Sequence, residues 1–215
     1  MVIIFALGDA EDLNRWLDYP SSAELTRMLL GLKLSTRELG FVGVMTALCV
    51  ASNYLMLSIV NVKFMDLFVF VSGYVMGPFV GILVGIFTWL VYGTLNPYGF
   101  SLPILFATIA GESLYGLVGG LASQLQLQES RISSISNVRF WVSNVKFGTL
   151  GFLLTFVYDL FTNAISGLLA GLPIIVAIIV GVPFALAHEV SNFLFFFFGA
   201  SLTINAIQIF TAKRR

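Results

Sequence analysis

The sequence predicts an all-α membrane protein: a six-transmembrane-helix bundle behind an N-terminal cytoplasmic or interfacial extension. Three observations predict it. The 215 residues are 58% hydrophobic and only 10% charged, with mean hydropathy +0.96, whereas a soluble domain is about 25% charged. The apolar residues fall in six runs separated by turn-rich or polar breaks. The basic residues sit on alternate sides of those runs, as the positive-inside rule demands. Formal net charge is zero, so charge points to no nucleic acid or other polyionic partner. The single cysteine, Cys49, lies inside an apolar run and can close no internal disulfide.

Residues 1–36 are read as a separate extension. Met1–Leu7 is apolar but too short to span and lacks a basic n-region, so no cleaved signal peptide is expected. Ser21-Ser-Ala-Glu24 caps an expected interfacial helix through Lys33, with Leu25, Met28, Leu29 and Leu32 on one face.

Residues 37–212 are read as the membrane domain. The first span covers about Leu39–Ile59. Gly40, Gly43, Ala47 and Ala51 form one stripe on it, and small residues four apart permit close helix approach. The stripe serves either packing inside the bundle or docking of a partner. The second and third spans, about Phe64–Met76 and Phe79–Thr94, are short and meet at the helix-breaking Gly77-Pro78. Asn96-Pro-Tyr98-Gly-Phe100 is a turn-rich loop. The fourth span, about Leu102–Ser123, holds Glu112 at mid-depth, and the polar stretch 124–145 is the longest loop. The fifth span runs about Lys146–Ala170, and Gly171-Leu-Pro173 turns the chain into the sixth. That span runs about Ile174–Gly199, with a possible helical continuation to Ile209, and carries His188, Glu189, Ser191 and Asn192.

Ten of the eleven basic residues fall before the first span, after the fourth or after the sixth; Lys63 alone falls on the other side. This predicts both termini in the cytoplasm and the loops near residues 58–63, 94–102 and 171–173 outside.

The fifth span carries the strongest functional signal. Thr155, Tyr158, Asp159, Thr162, Asn163 and Ser166 share an arc of roughly 140° on a helical wheel. A carboxylate facing lipid at mid-depth costs about 2.5–3.5 kcal/mol, so the stripe is expected to face other helices or a cavity. Glu112, Asp159 with Asn163, and His188 with Asn192 fall about 15–24 Å from the outer ends of their helices. The simplest geometry is a cavity opening outward between spans four, five and six, lidded by Asn96–Phe100. Candidate substrate contacts are Asn96, Tyr98, Glu112, Tyr115, Tyr158, Asp159, Thr162, Asn163, His188 and Asn192. Trp89, Tyr115 and Phe100 could stack a flat heterocycle or serve as belt residues. Each polar residue also has a structural reading. Asp159 with His188 or Tyr158, or Glu112 with His188, could simply lock the bundle.

The chain resembles the substrate-binding membrane subunits (S components) of energy-coupling factor transporters over about Leu39–Ala200. The likeness rests on Ala47-x-x-x-Ala51, on Gly77-Pro-Phe-Val-Gly81-Ile-Leu-Val-Gly85, and on the late motifs. Those are Gly148-x-x-Gly151 through Tyr158-Asp159-x-x-Thr162-Asn163, then Gly181-x-Pro183-Phe184 and His188-x-x-x-Asn192. The resemblance implies a vitamin or vitamin precursor bound from outside at the plasma membrane. It implies transport only with a transmembrane coupling subunit, docked on Gly43, Ala47 and Ala51, and two cytosolic ATPases. It also implies that the subunit topples in the lipid to release its solute.

The chain has no phosphate-binding Gly-Lys motif, so ATP hydrolysis is assigned to a separate chain. No catalytic triad or metal array has plausible spacing, and no enzyme activity, cofactor or metal is expected. Two rivals stand beside the transport reading. A proton-coupled carrier would use Asp159 and His188 as a relay; a membrane enzyme would use the Glu112/Asp159/His188 group for acid–base work.

Overall fold

The computed structural model describes residues 34–97, 99–125, 127–128 and 138–212. The expected interfacial helix, Tyr98, Arg131 and the basic residues 213–215 lie outside them. The chain divides at Arg37/Glu38 into two units, and the helices below belong to the second apart from the start of the first helix. The described residues form six α-helices and no strand. They are α1 Thr36–Leu55, α2 Met65–Met76, α3 Pro78–Thr94, α4 Leu102–Gln124, α5 Val138–Leu169 and α6 Ile174–Ala212. Four of them, α1, α4, α5 and α6, are long and apolar enough to cross a membrane. The other two are shorter apolar helices, roughly 18 and 25 Å long at 1.5 Å per residue.

Breaks fall where backbone chemistry puts them. Gly77 ends α2 with φ +95° and donates its N–H to the Gly73 carbonyl. Pro78 then opens α3 at a position where its missing N–H costs nothing. One boundary differs from the sequence reading. Helix α5 begins at Val138 rather than near Lys146. The residues between contain no breaker, and the polar pair there is used internally: Ser143 and Asn144 are buried, and Ser201 Oγ donates to Asn144 Oδ1 at 2.6 Å. Helix α6 continues through Pro183 to Ala212.

The bundle is tightest where α2, α3 and α4 meet. A Cβ on Gly73 would strike the carbonyl of Gly116, and one on Gly120 would strike Pro78. Backbones approach closely here because glycine leaves nothing between them. Beside this seam lies an aromatic core. Phe70 packs edge-on against Phe196 with centroids 5.1 Å apart, and against Phe147 at 6.0 Å. Within the phenylalanine run of α6, Phe196 is fully buried and Phe198 is on the surface. Helix α5 packs along α6, and α4 sits between α5 and the α2–α3 pair.

Helix α1 buries one face only, formed by Val42, Met45, Cys49 and Asn53. Its small-residue stripe lies opposite. Gly40, Gly43, Ala47 and Ala51 are exposed, and a Cβ at Gly40 or Gly43 would meet nothing within 4 Å. The stripe therefore does no packing inside the described bundle.

Candidate functional site

Five helices converge on His188. Its Nε2 lies 2.7 Å from Asp66 Oδ2, and its Nδ1 lies 3.0 and 3.1 Å from the two oxygens of Asp159. A neutral imidazole carries one N–H. Both contacts are hydrogen bonds only when both ring nitrogens, or one of the carboxyls, also hold a proton. Asp66 stands in the first turn of α2, where the helix dipole favours an anion. Asn192, one turn along α6 from His188, donates through Nδ2 to Asp66 Oδ2 at 2.6 Å and to Thr155 Oγ1 at 2.7 Å. Tyr115 donates to the same threonine at 2.8 Å. From α3, the Trp89 indole N–H donates to Glu112 Oε2 at 3.1 Å. Glu112, His188 and Asn192 are fully buried. Of the pairings left open by sequence, His188 joins Asp159 and Asp66, whereas Glu112 joins Trp89.

Two oxygens in this cluster, Tyr158 Oη and Asn192 Oδ1, have no hydrogen-bond partner among the described residues, and the Glu112 carboxyl lies against that of Asp66. Lys63 closes the cluster from above. Its ammonium lies 5.2 Å from the Trp89 ring centroid and 5.0 Å from that of Tyr158, within cation–π range.

Above this layer is a cavity of about 210 Å³. Its walls include Asn53 at the end of α1, Asn61 and Lys63 of the following loop, and Trp89, Tyr92 and Asn96 of α3 and its exit. This cavity lies between α1, the α1–α2 loop and α3, whereas the sequence reading expects one between the fourth, fifth and sixth spans. Two hydrogen bonds frame the cavity. Tyr54 Oη donates to the Leu95 carbonyl at 3.0 Å, and Asn61 Nδ2 donates to the Phe184 carbonyl at 2.8 Å. A second gap, about 150 Å³, opens sideways between α5 and α6 and is mainly apolar apart from Asp159, Asn163 and Glu189.

The sequence-predicted residues thus separate into groups. Asn96 lines the outer cavity. Glu112, Tyr115, Tyr158, Asp159, His188 and Asn192 gather in the buried layer. Asn163 faces the lateral gap. Thr162 turns back on its own helix, donating to the Tyr158 carbonyl at 2.9 Å. Tyr98 lies outside the described residues. Sequence reasoning missed Asn53, Lys63 and Asp66. The signal for Asp66 was available, since a carboxylate in a 12-residue apolar helix invites the argument applied to Asp159.

A family model described as "ECF-type riboflavin transporter, S component" matches residues 33–212. No curated protein and no solved structure matches the chain.

Proposed function

Because the chain belongs to the family of ECF-type riboflavin transporter S components, we propose that it captures riboflavin from outside the cell in the 210 Å³ cavity. Subunits of this family bind substrate for a transporter and are not enzymes; a separate membrane coupling subunit and ATPases drive the transport. The proposed arrangement has six crossings, with both termini and the extension 1–36 in the cytoplasm. The distribution of basic residues supports it. On that topology the cavity opens outward, because the end of α1 and the end of α3 share the outer side.

The observation that carries the reading is the layering. An aromatic and amide-walled hollow containing Trp89, Tyr92, Asn53 and Asn96 sits directly on a buried acid–imidazole cluster. Such a hollow suits a flat, polar heterocycle: the rings stack and the amides and ammonium satisfy its edge. The cluster beneath acts as a lock holding α2, α4, α5 and α6 in register. Ligand pockets usually measure about 300–1,000 Å³, so entry of a flavin requires the cavity to widen. The α1–α2 loop, which Asn61 ties to α6, is the segment that would yield.

The test is direct. Purified protein should quench riboflavin fluorescence at a one-to-one ratio, and uptake in cells should require the coupling and ATPase subunits. Absence of flavin binding by folded protein would reject riboflavin. Uptake by this chain alone, collapsing with the proton gradient, would favour a secondary carrier instead.

A further inference from the structure

We propose that Asn53 and Lys63 are the donors that read the acceptor edge of the flat solute. The proposal rests on the flavin reading above and adds the residues and the chemistry of recognition.

Asn53 sits in the last turns of α1 and is 4% exposed. It forms part of the cavity wall, yet its Nδ2 has no hydrogen-bond partner among the described residues. Buried donors left unmade are rare, and each calls for a ligand, a water or a function. Nothing in the packing of α1 asks for an amide here. The other buried residues of that face are Val42, Met45 and Cys49.

Lys63 is the second unspent donor. Its ammonium carries three N–H groups and accepts nothing. It rests on the faces of Trp89 and Tyr158 and makes no ion pair among the described residues. It also lines the same cavity as Asn53.

The buried acceptors lie elsewhere. Asp66, Glu112 and Asn192 are at most 1% exposed and do not line the cavity. The cavity therefore offers donors at its surface and keeps its carboxylates below. A guest must bring acceptors to be held there. Charge sets a second condition. Asp66, Glu112 and Asp159 lie beneath the cavity, and among the described residues His188 and Lys63 are the basic groups that act on them, so an anionic guest would add to an acid-rich region. Ring carbonyls and ring nitrogens on a neutral heterocycle meet both conditions, and Trp89 and Tyr92 supply the faces for stacking.

The experiment uses the full chain in lipid nanodiscs and riboflavin as the probe, read by flavin fluorescence. Asn53→Leu and Lys63→Met should each weaken binding by about ten- to a hundredfold, and Lys63→Arg should restore most of the loss. Replacing a ring carbonyl oxygen of riboflavin by sulfur should weaken binding to the wild type but matter little to Lys63→Met. If both variants bind riboflavin within about twofold of wild type, the donor assignment falls while flavin capture stands. If wild-type protein binds no riboflavin, both readings fall. Monodispersity and thermal transition establish folding. Should Asn53→Leu fail to fold, Lys63→Met on the partly exposed loop decides alone.

Discussion

At the scale of single residues, the fold leans hardest on His188. It bridges Asp66 of α2 and Asp159 of α5, and its ring is fully buried. Removing it leaves two carboxylates facing a hole. Breaking a buried charged pair typically costs about 3–5 kcal/mol, a large part of the ~5–15 kcal/mol that holds a domain together. His188→Ala should therefore lower the thermal transition sharply or abolish monodisperse protein on fluorescence-detected size exclusion. Wild-type behaviour would show that the bridge holds nothing. A milder change separates wall from donor. Trp89→Phe keeps an aromatic surface but removes the N–H that reaches Glu112 Oε2. The expected loss is about 1.5–3 kcal/mol of stability, read by thermal melting.

These residues show how far sequence reaches at this scale. The polar arc of α5 places Asp159 inward by helical geometry alone, and the spacing His188-x-x-x-Asn192 places both side chains on one face. Their meeting is legible. Asp66 is legible only as an acid in an apolar helix, because in sequence it follows Lys63 at the edge of a loop and nothing there names its partners. Only the arrival of α2 beside α6 turns it into the centre of the cluster. Asn53 is hidden for a similar reason: one amide at the end of a span has no partner pattern to reveal it.

At the scale of elements, apolar runs and breakers fix most helix positions. Gly77-Pro78 and Gly171-Leu-Pro173 stop helices for backbone reasons that hold anywhere. Ends inside polar stretches are harder, because Ser143 and Asn144 read as loop until a neighbouring helix offers Ser201. Glycine content alone does not separate seam from surface either. Gly116 and Gly43 look alike in sequence, but a Cβ at Gly116 would collide with the backbone of Gly81, whereas one at Gly43 meets open space. Gly116→Ala should destabilise the α3–α4 seam by about 1–3 kcal/mol through forced overpacking. Gly43→Ala should leave the isolated subunit's melting unchanged. Equal effects at the two sites would contradict the packing. The α1–α2 loop gives a further element-level prediction. Asn61 holds φ +55°, which asparagine and glycine tolerate, and anchors the loop to α6. Asn61→Gly keeps the backbone permitted and removes the tether. Riboflavin should then dissociate several-fold faster, a change of about 0.5–1.5 kcal/mol, in stopped-flow fluorescence; an unchanged off-rate would mean that the loop is held by other contacts.

At the scale of the whole molecule, the fold leaves one feature unused by its own packing. The stripe Gly40, Gly43, Ala47 and Ala51 is exposed on a helix that buries its opposite face. In lipid, small residues offer little apolar contact of their own but let a second helix approach closely. An S component requires a membrane coupling subunit, and on our proposal Gly43, Ala47 and Ala51 are where that subunit docks. The cavity borders the same helix through Asn53, on the side turned away from the stripe, so binding and docking use different faces of α1. The two activities should then separate by mutation. Ala47→Leu together with Ala51→Leu should block close approach and reduce riboflavin uptake to background in cells carrying the coupling and ATPase subunits. The purified variant should bind riboflavin with the wild-type Kd, because neither alanine touches the cavity wall. Uptake that persists would move the docking face elsewhere. Binding lost along with uptake would mean that α1 transmits the change across its own width to Asn53.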